Sequence, residues 1–225
     1  MRKILIAVMA MVTFLVMITA PLAFAAIWDV QNDFSITNNP AGAWSYGWES
    51  APGGTFNLYT HVTVIPGYDY LWYDTINFYG WYTPSVWFTN GVVWFHPGPS
   101  PIDQYPSSTG KYSVVRWTSP VSGTITINGM FGSGSPSYLK SYFIYNGTTS
   151  LFEVHGTPSD APFSLTKSIS IGDTIDFMNG EYHWGGWATL YATIDTAPVP
   201  IPSTMLLLGS GLAGLVGIAR RRFKK

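Results

Sequence analysis

Hydrophobic and polar side chains alternate with a period of two over most of the middle of this chain. In residues 124–128, Ile125 and Ile127 share one face, and threonine and asparagine side chains share the other. A period of two is typical of β-strands with one buried face, whereas helices repeat every 3.6 residues. The pattern predicts strands at residues 28–34, 56–65, 86–88, 92–95, 111–118, 123–131, 138–145, 151–154, 163–171, 174–177 and 188–194.

Two Asn-Gly pairs, Asn90-Gly91 and Asn146-Gly147, stand between strand-like runs. Asn-Gly favours the positive φ angles of tight hairpin turns, so each pair predicts a β-hairpin. Many short strands separated by Gly, Pro and Ser predict an all-β protein. We expect a single β-sandwich, jelly-roll-like, with a barrel as the alternative. The sequence has no internal repeat, which argues against a propeller or solenoid.

Both ends of the chain carry targeting patterns. Arg2 and Lys3 precede the apolar run 4–22, and Ala23-Phe24-Ala25 satisfies the small-x-small cleavage rule. Residues 1–25 are therefore predicted to be a signal peptide, removed during export. The remaining segment, 26–197, is long enough for one domain with its own core.

The C-terminal segment, 198–225, has three parts: alternating prolines, a glycine-rich apolar run at about 204–219, and a basic end. The apolar run predicts a transmembrane helix, slightly short for a bilayer. Basic residues stay on the cytoplasmic side, so the domain before the helix is expected to face outward. The residues that define the pattern are Pro198, Pro200, Pro202, Arg220, Arg221 and Arg222.

This proline motif, glycine-rich helix and arginine cluster together resemble the PEP-CTERM sorting signal of Gram-negative bacteria. The usual Pro-Glu-Pro is here Val199-Pro200-Ile201-Pro202, as in the VPxP-type variants. The resemblance implies an exosortase-like processing enzyme as partner. It also implies a protein that is anchored in the membrane before sorting and reaches the cell surface or the medium afterwards, in association with exopolysaccharide and biofilm. A permanent membrane anchor is the alternative.

A second resemblance covers residues 90–194. Its motifs are His96-Pro97-Gly98, residues 114–120 (VVRWTSP), residues 123–129 (GTITING), residues 172–177 (GDTIDF) and residues 190–194 (LYATI). Their order is similar to a β-sandwich module of exported bacterial proteins that often carry the same sorting signal. The resemblance implies a sandwich fold and no particular activity. The loop after GDTIDF departs from the family pattern.

Charge and cysteine content exclude several functions. All twelve acidic residues lie in the domain against four basic ones, which gives it a net charge of −8. Such a domain is a poor partner for nucleic acids and anionic membrane surfaces. The chain has no cysteine, so disulfides, thiol nucleophiles and structural Cys-zinc sites are excluded.

Aromatic residues are the main candidates for binding. All ten tryptophans lie in the domain, several of them in the aromatic segment 68–96. Indole and phenol rings stack on the apolar faces of sugars, but they also fill protein cores. Loop residues are the better binding candidates, because strand residues alternate into the core. The predicted carbohydrate site is therefore in the loop around Gly185-Gly186. Its residues are Tyr182, His183, Trp184 and Trp187.

The acidic residues and histidines do not form a recognisable catalytic or metal-binding motif. Asp173 is predicted to be a turn residue, and Asp176, opposite in parity to Ile175 and Phe177, is predicted to be solvated. We find no Asp-x-Asp-x-Asp loop and no paired histidines, so no cofactor is expected; calcium is kept as the alternative.

Three classes of function remain open. The first is a non-catalytic surface or matrix protein that binds polysaccharide, and this is the one we predict. The second is a structural or adhesive coat protein whose aromatic residues all lie in the core. The third is a polysaccharide-active enzyme, which would need two carboxylates roughly 5–10 Å apart in a groove.

Overall fold

The computed structural model describes residues 26–65, 68–73, 84–97, 111–134, 140–157, 159–180 and 186–196. These residues form strands and connecting loops, and no helix among them could cross a membrane. The predicted signal peptide and sorting signal lie outside them. The strands are β1 (Ile27–Asp29), β2 (Trp44–Glu49), β3 (Asn57–Leu58), β4 (His61–Ile65), β5 (Tyr68–Tyr73), β6 (Ser85–Thr89), β7 (Val92–His96), β8 (Tyr112–Thr118), β9 (Gly123–Gly132), β10 (Lys140–Asn146), β11 (Thr149–Thr157), β12 (Ala161–Ile169), β13 (Thr174–Gly180) and β14 (Ala188–Thr196).

Two antiparallel sheets pack face to face, which confirms the all-β sandwich prediction. The eight-stranded sheet has the order β12-β9-β14-β7-β6-β5-β4, with β1 also paired to β14. The six-stranded sheet has the order β11-β10-β13-β8-β2-β3. From β7 to β14, every connection except the β10–β11 hairpin passes from one sheet to the other.

The core lies between the inner faces of the two sheets and is built largely from aromatic rings. Phe131 of the eight-stranded sheet stacks on Tyr142 of the six-stranded sheet, with ring centroids 4.8 Å apart and planes 5° apart. Phe163 packs against Phe131 at 5.3 Å and against Phe177 at 5.8 Å. Burial of large rings is a main source of stability in such a sandwich.

The two predicted hairpins both form. Asn90 and Gly91 connect β6 to β7 with φ angles of 52° and 77°, as expected for Asn-Gly. At the second hairpin, Asn146 is the last residue of β10, and the turn residues are Gly147 and Thr148. Here the positive φ, 56°, belongs to Gly147 alone.

Two strand predictions need correction, and two strands are missing from the predictions. The predicted strand 28–34 ends at Asp29, because the side chains of Asp29 and Asp33 accept hydrogen bonds from nearby backbone N–H groups and hold the chain in a turn. The predicted strand 56–65 is divided between the sheets, as β3 and β4. The missing strands are β2, although Trp44, Tyr46 and Trp48 alternate along it, and β5.

Candidate functional site

The N-terminal strand ends in a turn that presents a carboxylate. Asp29 accepts hydrogen bonds at Oδ1 from the backbone N–H groups of Gln31 (2.9 Å) and Asn32 (3.3 Å). The backbone N–H of Asp33 donates to the carbonyl of Asp29 (2.8 Å). In return, Oδ2 of Asp33 accepts from the N–H of Asp29 (3.0 Å). Aspartate commonly forms such local bonds in place of strand pairing. The turn fixes the position of the exposed Asp33.

The segment that follows is anchored to both sheets. The carbonyl of Ser35 accepts a hydrogen bond from the indole N–H of Trp72 on β5 (2.8 Å). The side chain of Asn39 accepts from the N–H of Tyr46 (2.8 Å) and donates to the carbonyls of Tyr46 and Tyr59 (both 2.8 Å). The Asn39 side chain therefore pairs with the backbone at Tyr46 as a neighbouring strand would. This pairing fixes the course of the loop.

An open cleft of about 390 Å³ lies between this turn and the start of β2. Its volume is within the usual range of small-molecule sites. The indole N–H of the fully buried Trp44 donates to Oδ2 of Asp33 (3.2 Å). Trp28, half-buried, packs edge-on against Trp117 with ring centroids 5.1 Å apart. The lining residues are Trp28, Asp33, Ser35, Asn38 and 41–44.

The cleft combines the two kinds of group that bind uncharged polar ligands. Trp28, which is half-buried, supplies apolar ring surface, while Asp33 and Asn38 supply an exposed carboxylate and an exposed amide. Trp44 is fully buried and contributes through its hydrogen bond to Asp33. Oδ2 of Asp33 is held by its two donors, and Oδ1 accepts no hydrogen bond from a described residue. Aromatic surface with a few oriented polar groups is the usual composition of a ligand site.

The predicted loop site is described only at Trp187, because Tyr182, His183 and Trp184 lie outside the described residues. Trp187 is half-buried, and its ring lies edge-on to Trp87 and Trp94, each with a centroid distance of 6.2 Å. Its indole N–H is buried and has no acceptor among the described residues. The loop remains a predicted site.

The aromatic segment supplies both core and outer-face residues. Trp72 is buried in the core, as the core interpretation expects. Trp87 and Trp94 are paired across β6 and β7, with ring planes 4° apart, and their parity places them on the outer face of the eight-stranded sheet. Trp87 is nevertheless only 4% exposed. A tryptophan on an outer face is therefore not automatically a ligand platform.

Asp176 is not solvated, which corrects the sequence prediction. It does point to the outer face of the six-stranded sheet, but there it accepts two hydrogen bonds from Arg116, from Nε (2.6 Å) and Nη2 (2.8 Å). Nη2 also donates to Oε1 of Glu49 (3.1 Å). The side chains of Glu49 and Asp176 are 0% and 1% exposed, respectively. Parity along a strand gave the direction of Asp176 but not what covers it.

Burial raises the pKa of both carboxylates that bind Arg116. Loss of hydration, with the nearby Asp176 charge, raises the pKa of Glu49 to about 7, although Arg116 acts in the opposite direction. Burial likewise raises the pKa of Asp176. A glycosidase needs two carboxylates facing a substrate. Glu49 and Asp176 instead face one guanidinium, so they do not supply the groove that the enzyme alternative requires.

Within the described ranges, no group of three or more His, Asp or Glu side chains is arranged to hold a metal ion. Asp173 has the turn role predicted for it, since its Oδ2 accepts from the N–H of Ser170 (2.8 Å). That the protein has no cofactor stays a prediction, with calcium as the alternative. The sorting residues Pro198, Pro200, Pro202, Arg220, Arg221 and Arg222 lie outside the described residues.

Sequence reasoning missed the cleft. Trp28 and Asp33 were included in a predicted strand, and Trp44 was not singled out. A signal was available, because Asp29, Asn32 and Asp33 are turn-forming residues that interrupt an aromatic strand. The proximity of Trp44 and Asp33, eleven residues apart, depends on the fold.

No family model matches this sequence, and a search of curated proteins finds no match. Among solved structures, a carbohydrate-binding module of family 29 is similar at a TM-score of 0.36 with 8% identity, covering 77% of this chain and 90% of that one. The C-terminal family 6 carbohydrate-binding module of LamC, a laminarinase from Zobellia galactanivorans, has a TM-score of 0.26 with 19% identity, covering 39% and 82%.

A third similar structure is an adhesin domain of Lys-gingipain from Porphyromonas gingivalis, with a TM-score of 0.29, 13% identity, and coverage of 47% of this chain and 72% of that one. Several of the similar structures are thus carbohydrate-binding modules. None of the three reaches a TM-score of 0.5, so the assignment of function below rests on the cleft itself.

Proposed function

We propose that this protein is an exported, non-catalytic surface or matrix protein that binds polysaccharide in the cleft beside β1 and β2. One observation carries the proposal: an open cleft joins the half-buried ring of Trp28 to the exposed carboxylate and amide of Asp33 and Asn38. A sugar ring has an apolar C–H face for an indole and hydroxyl groups at its rim for a carboxylate or amide. The cleft matches both.

The charge of the domain favours a neutral glycan. A net charge of −8 repels acidic polysaccharides at long range, and the carboxylate in the cleft adds to this effect. Sugar hydroxyls can donate to Oδ1 of Asp33 without bringing a charge. Neutral polysaccharides are therefore the expected ligands.

Export and sorting form the other part of the proposal. They are supported by the N-terminal signal pattern and by the resemblance of residues 198–225 to an exosortase substrate. Intact mass and fractionation of the native protein test this part. A mass lacking residues 1–25 and the basic end, in a surface or extracellular fraction, is expected. The full C-terminal segment retained in the inner membrane would contradict sorting.

Affinity electrophoresis of the full chain tests the cleft, with soluble glucan, mannan or xylan in the gel and a detergent that has no sugar head group. We expect Asn38→Ala and Trp28→Ala each to lower the affinity seen as retardation by roughly two- to tenfold, the effect of one lost polar or stacking contact. Asn38 is exposed, so its variant should keep the fold.

Matched controls separate binding from stability. Asp173→Asn changes another turn aspartate outside the cleft, and Trp48→Ala removes another half-buried tryptophan. Both should be retarded like the unmodified chain. Equal retardation of Asn38→Ala and Asp173→Asn would exclude the cleft as the site. If the polysaccharides retard neither the unmodified chain nor any variant, the structural or adhesive alternative would be favoured.

A further inference from the structure

An exposed cluster on the opposite edge of the six-stranded sheet has no part in the cleft. Tyr145 on β10 donates from its hydroxyl to Oε1 of Glu153 on β11 (2.6 Å). Nε2 of His155 lies 3.5 Å from Oε2 of the same carboxylate, and the side chains of His155 and Glu153 are 54% and 36% exposed. We call Tyr145, Glu153 and His155 the β11 cluster.

The two rings of the β11 cluster are supported by residues of neighbouring segments. His155 packs edge-on against the buried Phe143, with ring centroids 5.1 Å apart. The ring of Tyr145 lies against the backbone at Gly53, where an added Cβ would be only 3.0 Å from it. Two rings supported in this way flank one oriented carboxylate, so little conformational entropy would be lost on binding.

The backbone of β11 is irregular on both sides of Glu153. The pairing of β10 with β11 shifts between Ile144 and Tyr145 and again between Lys140 and Tyr142. Gly156, beside His155, has a φ of 61°. Bulges redirect side chains and are common near functional sites, but they also protect edge strands from unwanted pairing. Protection explains the bulges but not the gathering of Tyr, Glu and His on one surface.

We propose that the β11 cluster is a second carbohydrate-binding site, separate from the cleft. The ligand class rests on the proposed function, and the position rests on the β11 cluster alone. Glu153 would accept hydrogen bonds from two neighbouring sugar hydroxyls, and the rings of Tyr145 and His155 would contact the C–H face. Hydrogen bonds from Tyr145 and Ser150 hold the pKa of Glu153 below its usual range, consistent with an ionised acceptor.

Two sites on one domain would allow it to cross-link polysaccharide. In the sheet, β13 and β8 separate β10 from β2, so three spacings of about 4.8 Å place these two strands roughly 15 Å apart. Simultaneous binding at both sites raises the apparent affinity for long chains well above that for short ones. Such a protein would hold a matrix together rather than only adhere to it.

NMR of the histidine side chains in the isotope-labelled full chain, in a sugar-free detergent, provides the test. The probes are neutral glucan and mannan hexasaccharides, and the signal of His155 is assigned by its loss in His155→Gln. We expect the His155 signal to shift on addition of sugar, also in the Trp28→Ala cleft variant. Glu153→Gln should weaken this response by roughly tenfold, since a hydrogen bond to a charged group is lost.

Ser164→Ala is the matched control, because it removes an exposed cross-strand bond to Asn128 (2.7 Å) on the other sheet. It should leave the His155 response unchanged. If the His155 signal does not shift on addition of sugar while Asn38→Ala still reduces retardation, the second site is overturned and the cleft stands. A His155 response with unaffected cleft variants would support the second site and overturn the cleft.

Discussion

Two groups of polar side chains share the outer face of the six-stranded sheet but differ in burial and in the pKa shifts of their carboxylates. The first is the Glu49–Arg116–Asp176 network, and the second is the β11 cluster. They are neighbours, because Tyr145 pairs directly with Asp176 across β10 and β13. In the network the two carboxylates are buried, whereas in the cluster the Glu153 side chain is 36% exposed.

The loop between β2 and β3, residues 50–56, accounts for much of the difference. Its Phe56 ring covers the Arg116 guanidinium at 4.1 Å, and the N–H of Gly54 donates to Oε2 of Glu49 (3.0 Å). Gly47 leaves room for this arrangement, because an added Cβ would lie 2.6 Å from Phe56. In the β11 cluster, this loop contacts Tyr145 at Gly53, whereas Glu153 and His155 lie on the last strand of the sheet and stay exposed.

The pKa values of two glutamates on one face therefore shift in opposite directions, one through burial and the other through hydrogen bonds. The pKa of Glu49 rises to about 7 because its charge loses hydration, while hydrogen bonds hold the pKa of Glu153 below its usual range. A covered carboxylate serves mainly to hold the covering loop and the sheet together. An exposed carboxylate held in one orientation can be used to bind a ligand.

The largest effect is expected from breaking the buried network. Asp176→Ala leaves Arg116 and Glu49 as an incomplete buried group, and we expect a loss of about 3–5 kcal/mol in the free energy of unfolding. Chemical denaturation followed by tryptophan fluorescence measures it. The control is Glu153→Ala, which removes a carboxylate from the exposed group. Equal losses in the two variants would contradict the comparison.

An intermediate effect is expected from pH. The pKa of Glu49 is about 7 in the fold against 4.5 for the free side chain, so the native state binds this proton more tightly. The contribution of Glu49 is complete below pH about 4.5 and is lost as the pH rises through about 7, a change of roughly 2–3 kcal/mol. Glu49→Gln stays neutral and should remove this part of the pH dependence.

The measurement is the free energy of unfolding of the unmodified chain and of Glu49→Gln between pH 4.5 and pH 8. The Gln variant should match the unmodified chain at low pH and exceed it at high pH. Parallel curves across the whole range would show that Glu49 is ionised without cost in the fold. Parallel curves would therefore contradict the opposite pKa shifts of Glu49 and Glu153.

The smallest effect is expected at the β11 cluster. Glu153→Gln weakens an exposed hydrogen bond with Tyr145 and an exposed contact with His155, which typically changes stability by less than about 0.5–1 kcal/mol. The same denaturation measurement checks it. Because the variant is expected to weaken sugar binding, a small stability change would separate binding from folding. A loss in the free energy of unfolding as large as that of Asp176→Ala would show that the cluster stabilises the fold.

Local patterns in the sequence determined the sandwich. Alternation placed most strands of the segment 111–196, and Asn90-Gly91 placed a hairpin, because side-chain period and turn geometry depend on near neighbours. The prediction of 28–34 as one strand was wrong after Asp29, where side-chain hydrogen bonds compete with strand pairing. The export and sorting patterns also belong to the sequence alone, and they stay predictions.

Only the tertiary structure decided what each outward-facing residue does. Alternation correctly gave the direction of Asp176, yet its burial depends on Arg116, 60 positions away, and on the loop that carries Phe56. The cleft depends in the same way on contact between Trp44 and Asp33. Periodicity gives the direction of a side chain. What covers it is set by segments distant in sequence, which local patterns do not encode.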